Sequence, residues 1–204
     1  MDHLWEKGWR HFGPYFYRYS HAPHDGQVCS VMPLRINLEK FKLSRSQKRI
    51  LKRNADLEVR IRPAFVNSEV VDMFERHKER FVYNVPDTIY TFVSKRPSMI
   101  PCDCKSLCVY LNDKLIGISY LDVGREACSS VYQCFEPTES RRSLGVLMIL
   151  YSLQYAREKD KTYYYPGYAY EESSHYDYKK KFAGLEHFDW KVGWRVYQKP
   201  TETA

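Results

Sequence analysis

Three apolar-rich runs joined by tight turns, followed by a long apolar-striped segment, restrict the fold of this chain more than any other feature. The first run, 106-SLCVYL-111, leads through Asn112-Asp113 into 114-KLIGISYLDV-123, and 124-GREA-127 leads into 128-CSSVYQCF-135. Asn and Asp tolerate the positive φ that a two-residue hairpin turn demands, so the spacing predicts an antiparallel meander. The segment 139-ESRRSLGVLMILYSLQYAREK-159 then sets Leu144, Leu147, Met148, Tyr151 and Tyr155 on one helical face. A sheet with one such helix needs cover on its other side, and the flanking sequence supplies it.

Upstream, 56-DLEVRIRP-63 alternates Leu57, Val59 and Ile61 as a strand does, and 67-NSEVVDMFERHKERF-81 places Val70, Val71, Phe74 and Phe81 on one helical face. Downstream, 162-TYYYPGYAY-170 reads as a strand, 173-SSHYDYKKKF-182 as a helix, and 188-FDWKVGWRVYQ-198 as a closing strand or hairpin. The first forty residues hold the aromatic run 9-WRHFGPYFYRY-19, the polar loop 20-SHAPHDGQ-27 and short strands reaching 31-VMPLRINL-38. The fold class is therefore α+β. Helix, meander, helix, strand, helix, strand resembles the order of GNAT-like acyltransferases. In that fold the strands before and after the main helix splay apart around the acyl donor, here at 135-FEP-137 and 164-YYPG-167. The expected organisation is a small N-terminal lobe over residues 1–60 and a GNAT-like unit over 61–204.

The stretch 43-LSRSQKRILKRN-54 carries Arg45, Lys48, Arg49, Lys52 and Arg53. On a helix these five cations share an arc of about 140°, opposite Gln47, Ile50 and Leu51, and Ser44 stands where an N-cap belongs. A net charge of +7 points the same way, to an anionic partner. Aromatic content of 16%, with 18 tyrosines, suits stacking surfaces and pockets as well as a core. The segment 1-MDHLWEKGWRHF-12 lacks the apolar region of an export signal, and no run is long enough to span a bilayer. The expected location is cytoplasmic, with the six cysteines as reduced thiols. Cys102, Cys104 and Cys108 lack the second pair that a structural zinc site uses, so no metal is expected. Cys128 and Cys134, six apart in one strand, are expected on one face.

Helix N-termini bind phosphate through free N–H groups. The segment 142-RSLGVL-147 resembles the coenzyme A pyrophosphate loop, but Leu147 replaces its final small residue. Other segments resemble the aminoacyl-tRNA–protein transferases, arginyl and leucyl types. They are 8-GWRHFGPYFYR-18, 33-PLRI-36, 44-SRSQKRILKRNADL-57, 131-VYQCFEP-137, 143-SLGVLMILYSLQYAREK-159 and 164-YYPGYAYEESSHYDYKKKF-182. The last is similar to the family signature G-Y-x-I-x-x-C-x-K-M-x-Y-K-x-x-F, with Ser173 for its Cys, His175 for its Lys and Tyr176 for its Met. The family's N-terminal cysteine cluster is not matched, since 21–36 holds Cys29 alone.

The resemblance implies an enzyme that moves an amino acid, arginine or leucine, from charged tRNA to the N-terminal α-amine of a protein or peptide, with no further cofactor. It assigns tRNA phosphates to Arg45, Lys48, Arg49, Lys52 and Arg53. Glu136, Tyr168 and His175 are the implied catalytic positions. Arg35, Tyr132, Gly167, Tyr178, Lys179 and Phe182 are the implied pocket. Two other readings compete: a coenzyme A–dependent N-acyltransferase, and a family member that binds tRNA without transferring.

Overall fold

In the computed structural model, which describes residues 1–24, 26–82 and 85–198, the meander forms as its turns require. The elements in chain order are α1 (Asp2–Glu6), β1 (Arg10–Phe12), β2 (Tyr15–Tyr17), β3 (His21–His24), β4 (Gln27–Asn37), α2 (Arg45–Arg53), β5 (Glu58–Pro63) and α3 (Ser68–Lys78). They continue with β6 (Cys104–Leu111), β7 (Lys114–Val123), β8 (Ala127–Phe135), α4 (Leu144–Glu158), β9 (Tyr163–Tyr170), β10 (Leu185–Asp189) and β11 (Gly193–Val196). Asn112 and Asp113 both adopt positive φ, 50° and 61°, which turns β6 into β7 within two residues.

Among the described residues one sheet runs β11-β10-β4-β9-β8-β7-β6-β5, with β3 added on β4. Its pairings are antiparallel apart from β8 with β9, which is parallel. β4 comes from the N-terminal segment, yet it lies between β9 and β10. The fold is thus a mixed α+β one with a mostly sheet core. Residues of β6 alternate between two sides, as a pleated strand must. Cys108 and Tyr110 pack with Val70, Met73 and Phe74 of α3, while Leu107 and Val109 pack with Leu144, Leu147 and Met148 of α4. The two helices therefore cover opposite faces of the meander.

Four expectations change. The helix expected from residue 139 begins at Leu144, because Pro137–Arg142 forms a tight 3-10 turn and Ser143 takes a left-handed φ of 56°. The helix expected over 173–182 shrinks to a 3-10 turn at Asp177–Lys181, where three successive lysines repel one another and no apolar stripe repays a longer helix. The polar loop 20–27 is a hairpin of β3 with β4, its Asp25 lying outside the described residues. Cys128 and Cys134 do not share a face. A bulge leaves Val131 between the pairs Leu121↔Ser130 and Tyr120↔Tyr132, so Cys128 packs on the α4 side and Cys134 on the α3 side. Among the described residues no helix is long and apolar enough to cross a membrane.

The basic segment folds as its caps dictate. Ser44 accepts from the Gln47 amide and the Gln47 side chain accepts from the Ser44 amide, a complete capping box. Gln47 is buried, and all five cations of α2 face solvent.

Candidate active site

β8 and β9 are paired only at Ala127↔Tyr163, Cys128↔Tyr164 and Ser129↔Tyr165. Beyond that point the Val131 bulge turns β8 one way, and Pro166 with Gly167 (φ +98°) turns β9 the other. The gap is a cavity of about 480 Å³. Gly145 and Val146 of α4 close one wall, Phe92 and Tyr132 stack at 3.8 Å across another, and Tyr168, Tyr176 and Tyr178 form a third. Its charged lining is Arg10, Arg80 and Lys179, with no carboxylate among the lining residues.

The anticipated residues divide cleanly. Tyr132, Gly167, Tyr168, His175, Tyr178 and Lys179 all line this cavity, brought together by β8, β9 and the turn after β9. Burial raises the phenols of Tyr168 and Tyr176 and pushes Tyr178 up to about 12, so all three stay protonated near neutrality. Lys179 Nζ donates to the Tyr168 carbonyl at 3.2 Å and lies 4.8 Å from the Tyr176 ring centre. Burial first, and the neighbouring Arg10 charge second, pull it down to about 8. His175 sits at the rim against Tyr176, ring centres 3.9 Å apart.

Glu136, Arg35 and Phe182 do not reach the cavity. Glu136 is buried at the end of β8, where Arg76 of α3 holds both its oxygens, Nη2 to Oε1 at 2.6 Å and Nε to Oε2 at 3.0 Å. This fork keeps its carboxyl below the ordinary glutamate range despite burial. Arg35 pairs with Glu186 at 2.7 Å and lies between the rings of Tyr163 and Trp194. Phe182 packs into the core against Phe41.

The cations of α2 reach the cavity indirectly. Arg53 donates to the Arg141 carbonyl at 2.6 Å, Asn54 donates to the Arg142 carbonyl at 2.9 Å, and Arg142 returns to Asp56 at 2.9 Å. The turn so clamped ends at Ser140 and Ser143, which line the cavity. Arg45, Lys48, Arg49 and Lys52 have no carboxylate partner among the described residues. Leu147, the residue that breaks the coenzyme A loop pattern, is wholly buried in the core.

Sequence reasoning missed three groups here. Arg10, in the quoted aromatic run, is 5% exposed and lines the cavity. His77 of α3 is buried, with Nδ1 2.9 Å from the Phe135 carbonyl and 3.1 Å from its amide, and desolvation lowers it to about 4. His11 bridges Asp122 through Nε2 and the Gly13 carbonyl through Nδ1, so both its nitrogens are committed. Arg10 and His11 sit in an aromatic run that masks them, and His77 lies on the apolar stripe of α3.

The chain also resembles known proteins over most of its length. The family described as "Arginine-tRNA-protein transferase, C terminus" matches residues 64–189, and its N-terminus counterpart matches residues 1–49. A relative from Hahella chejuensis named aspartate/glutamate leucyltransferase is 30% identical over 190 residues, covering 90% of this chain and 77% of its own. One of the same name from Marinobacter nauticus is 28% identical, covering 88% and 75%. Among solved structures, L-PGS from Bacillus licheniformis superposes with a TM-score of 0.51 at 8% identity, over 71% of this chain and 47% of that one. A C-terminal DUF2156 domain from Agrobacterium fabrum gives 0.53 at 15%, over 68% and 46%. This chain thus spans about half the length of those two, which are similar in fold alone.

Proposed function

This chain belongs to the arginine-tRNA–protein transferase family and is an aminoacyltransferase, and we propose that its donor is tRNA charged with an apolar amino acid, leucine foremost. The observation that carries this is the cavity lining. Three cations and no carboxylate make it hostile to an arginyl guanidinium, whereas Phe135, Leu144, Val146 and Ile149 offer an apolar wall. The relatives' printed name gives leucine as donor and aspartate or glutamate as acceptor, and the same acceptor class is proposed here.

The α-amine of the acceptor attacks the ester carbonyl carbon. A C–N bond forms, the ester C–O bond breaks, the amine sheds a proton, and the terminal ribose oxygen leaves with one. The ester is already activated, so most of the work is positioning. The neutral Tyr168 hydroxyl serves as a donor to the developing oxyanion. His175 at the rim accepts the amine's proton. Tyr132, Gly167, Tyr178 and Lys179 shape the pocket. Glu136, held by Arg76, acts as a positioning residue for the end of β8. The α2 cations hold the tRNA acceptor stem, a role supported by the Arg53–Arg141 hydrogen bond that ties α2 to the turn before α4. Residues 1–60 then act as the tRNA-holding lobe of a GNAT-like unit over 61–204, in a cytoplasmic setting where charged tRNA is at hand. The splay of β8 from β9 supports that GNAT-like reading.

The test is a transfer assay with purified protein, tRNA charged separately with leucine or arginine, and peptides with acidic or neutral first residues. Leucine should reach acidic-start peptides at least tenfold faster than arginine does. Equal rates, or label on no peptide, would overturn the reading.

A further inference from the structure

We propose that Arg10 and Lys179 form a carboxylate subsite that grips the side chain of the acidic first residue of the acceptor. The inference rests on the proposed transfer, and adds to it the residues that choose the acceptor.

Other arginines that meet a carboxylate are matched: Arg35 of β4 with Glu186, Arg76 of α3 with Glu136, and Arg142, just before α4, with Asp56. Arg10 is not. Its Nη1 donates to the Trp9 carbonyl at 2.7 Å and its Nη2 to the Leu34 carbonyl at 3.3 Å, while Nε is buried with no partner among the described residues. Its guanidinium lies over the Tyr165 ring, 4.8 Å from the centre. An uncompensated buried cation is strongly destabilising unless something in the working protein completes it. Lys179 has the same deficit. One of its three N–H groups reaches the Tyr168 carbonyl, and it has no carboxylate partner among the described residues. Gly167 keeps its ammonium uncovered, since a Cβ there would stand 3.3 Å from Nζ.

Arg10 and Lys179 line the same cavity and repel each other: after burial, the Arg10 charge is the second cause of the depressed Lys179. An anion between them removes that repulsion and supplies the counter-charge that both lack. The aminoacyl end of the donor carries an ammonium and an uncharged ester, so it supplies no such anion. An aspartate or glutamate at the acceptor's first position supplies one, one or two methylenes from the attacking amine. The anchored carboxylate would hold that amine at a fixed distance from the ester, and the cations favour its neutral, nucleophilic form. The other anion in reach is the phosphate next to the terminal nucleotide of tRNA, and the experiment separates the two.

Peptides of common sequence starting with Asp, Glu, Asn or Gln are titrated calorimetrically into the full chain, as wild type, K179M and R10K. Uncharged tRNA affinity is measured on the same samples. The wild type should bind acidic-start peptides at least tenfold more tightly than their amide counterparts. K179M should erase most of that ratio, and R10K, which keeps a charge but loses the fork, should reduce it severalfold, with tRNA affinity within twofold. K179M removes an unpaired cation, so its melting temperature should not fall, and lost discrimination cannot be lost fold. Equal binding of acid and amide in the wild type overturns the subsite. So does a ratio unchanged in both variants, or weakened tRNA binding with the ratio intact, which would assign the cations to phosphate. Tight acidic-peptide binding without any transfer would refute the transfer reading and leave the subsite standing.

Discussion

Arg76 and Glu136 meet through two hydrogen bonds, 2.6 and 3.0 Å, and so tie the last turn of α3 to the end of β8. A carboxylate held at both oxygens and kept below its ordinary range is a poor proton acceptor, and Glu136 lies outside the cavity lining. Its effect on transfer should therefore come through β8, and R76Q should reproduce it. We expect E136Q and R76Q each to cost about 1–3 kcal/mol of stability, in line with charge-assisted hydrogen bonds, and the double variant to cost less than their sum. Both should lower transfer while leaving tRNA affinity alone. Full transfer in R76Q beside a dead E136Q would restore Glu136 as a reacting base.

The exposed cations of α2 lead to a second expectation. Arg53 is partly spent on the Arg141 carbonyl, so the cleaner charge reversal is at Arg45, Lys48 and Arg49. Replacing all three with Glu should leave the fold intact, because Ser44, Gln47, Ile50 and Leu51 are untouched. The log–log salt dependence of tRNA binding should flatten by about 0.7 to 0.9 for each phosphate that the variant no longer neutralises. An unchanged slope would move the tRNA elsewhere on the molecule.

What could be read in advance follows how local the governing physics is. The Asn112-Asp113 turn, the Ser44 cap and the Leu144, Leu147 and Met148 part of the α4 stripe act within a few residues and stand as the sequence implies. By contrast, α4 also buries Ile149, Leu150, Leu153 and Ala156, and Tyr151 and Tyr155 are only half-buried. The left-handed Ser143, the Val131 bulge and the place of β4 between β9 and β10 are decided by partners far along the chain. The pocket residues Gly167, Tyr168, Tyr178 and Lys179 were legible through resemblance, being neighbours in sequence. Arg10 was not, because its importance lies in the counterion it lacks, and that shows only once the sheet has closed around it.

His77 gives the protein an acid sensitivity. Its ordinary value is 6.5 and desolvation lowers it to about 4 in the fold. Between those values the unfolded chain takes up a proton that the folded chain refuses, so stability falls as pH drops from about 6.5 toward 4. The paired Glu136 adds to the loss at the lower end, since its depressed carboxyl must also be protonated. The His77 share is on the order of 2–3 kcal/mol. Denaturant melts from pH 7 to 4 should show this slope, and H77Q should lose its upper part. An identical slope in H77Q would remove His77 from the account.

Lys179 sets the opposite limit. It ionises near 8 in the free protein, and the groups facing it hold their states across that range. Arg10, lowered by burial to about 10, stays charged, and the phenols of Tyr17, Tyr168, Tyr176 and Tyr178 are raised and stay neutral. Folding depresses this lysine, so the fold itself gains stability as pH rises above about 8. Acidic-peptide binding does the reverse, because it needs the ammonium that is being lost. The acceptor amine also titrates near pH 8, which would confuse any single peptide. The ratio of Asp to Asn peptide affinity cancels that effect. It should be flat below pH 7.5 and fall above 8, by at most tenfold per pH unit, and it should be low and flat throughout in K179M. A wild-type ratio that holds steady to pH 9.5 would mean that the lysine's charge does not select the acceptor.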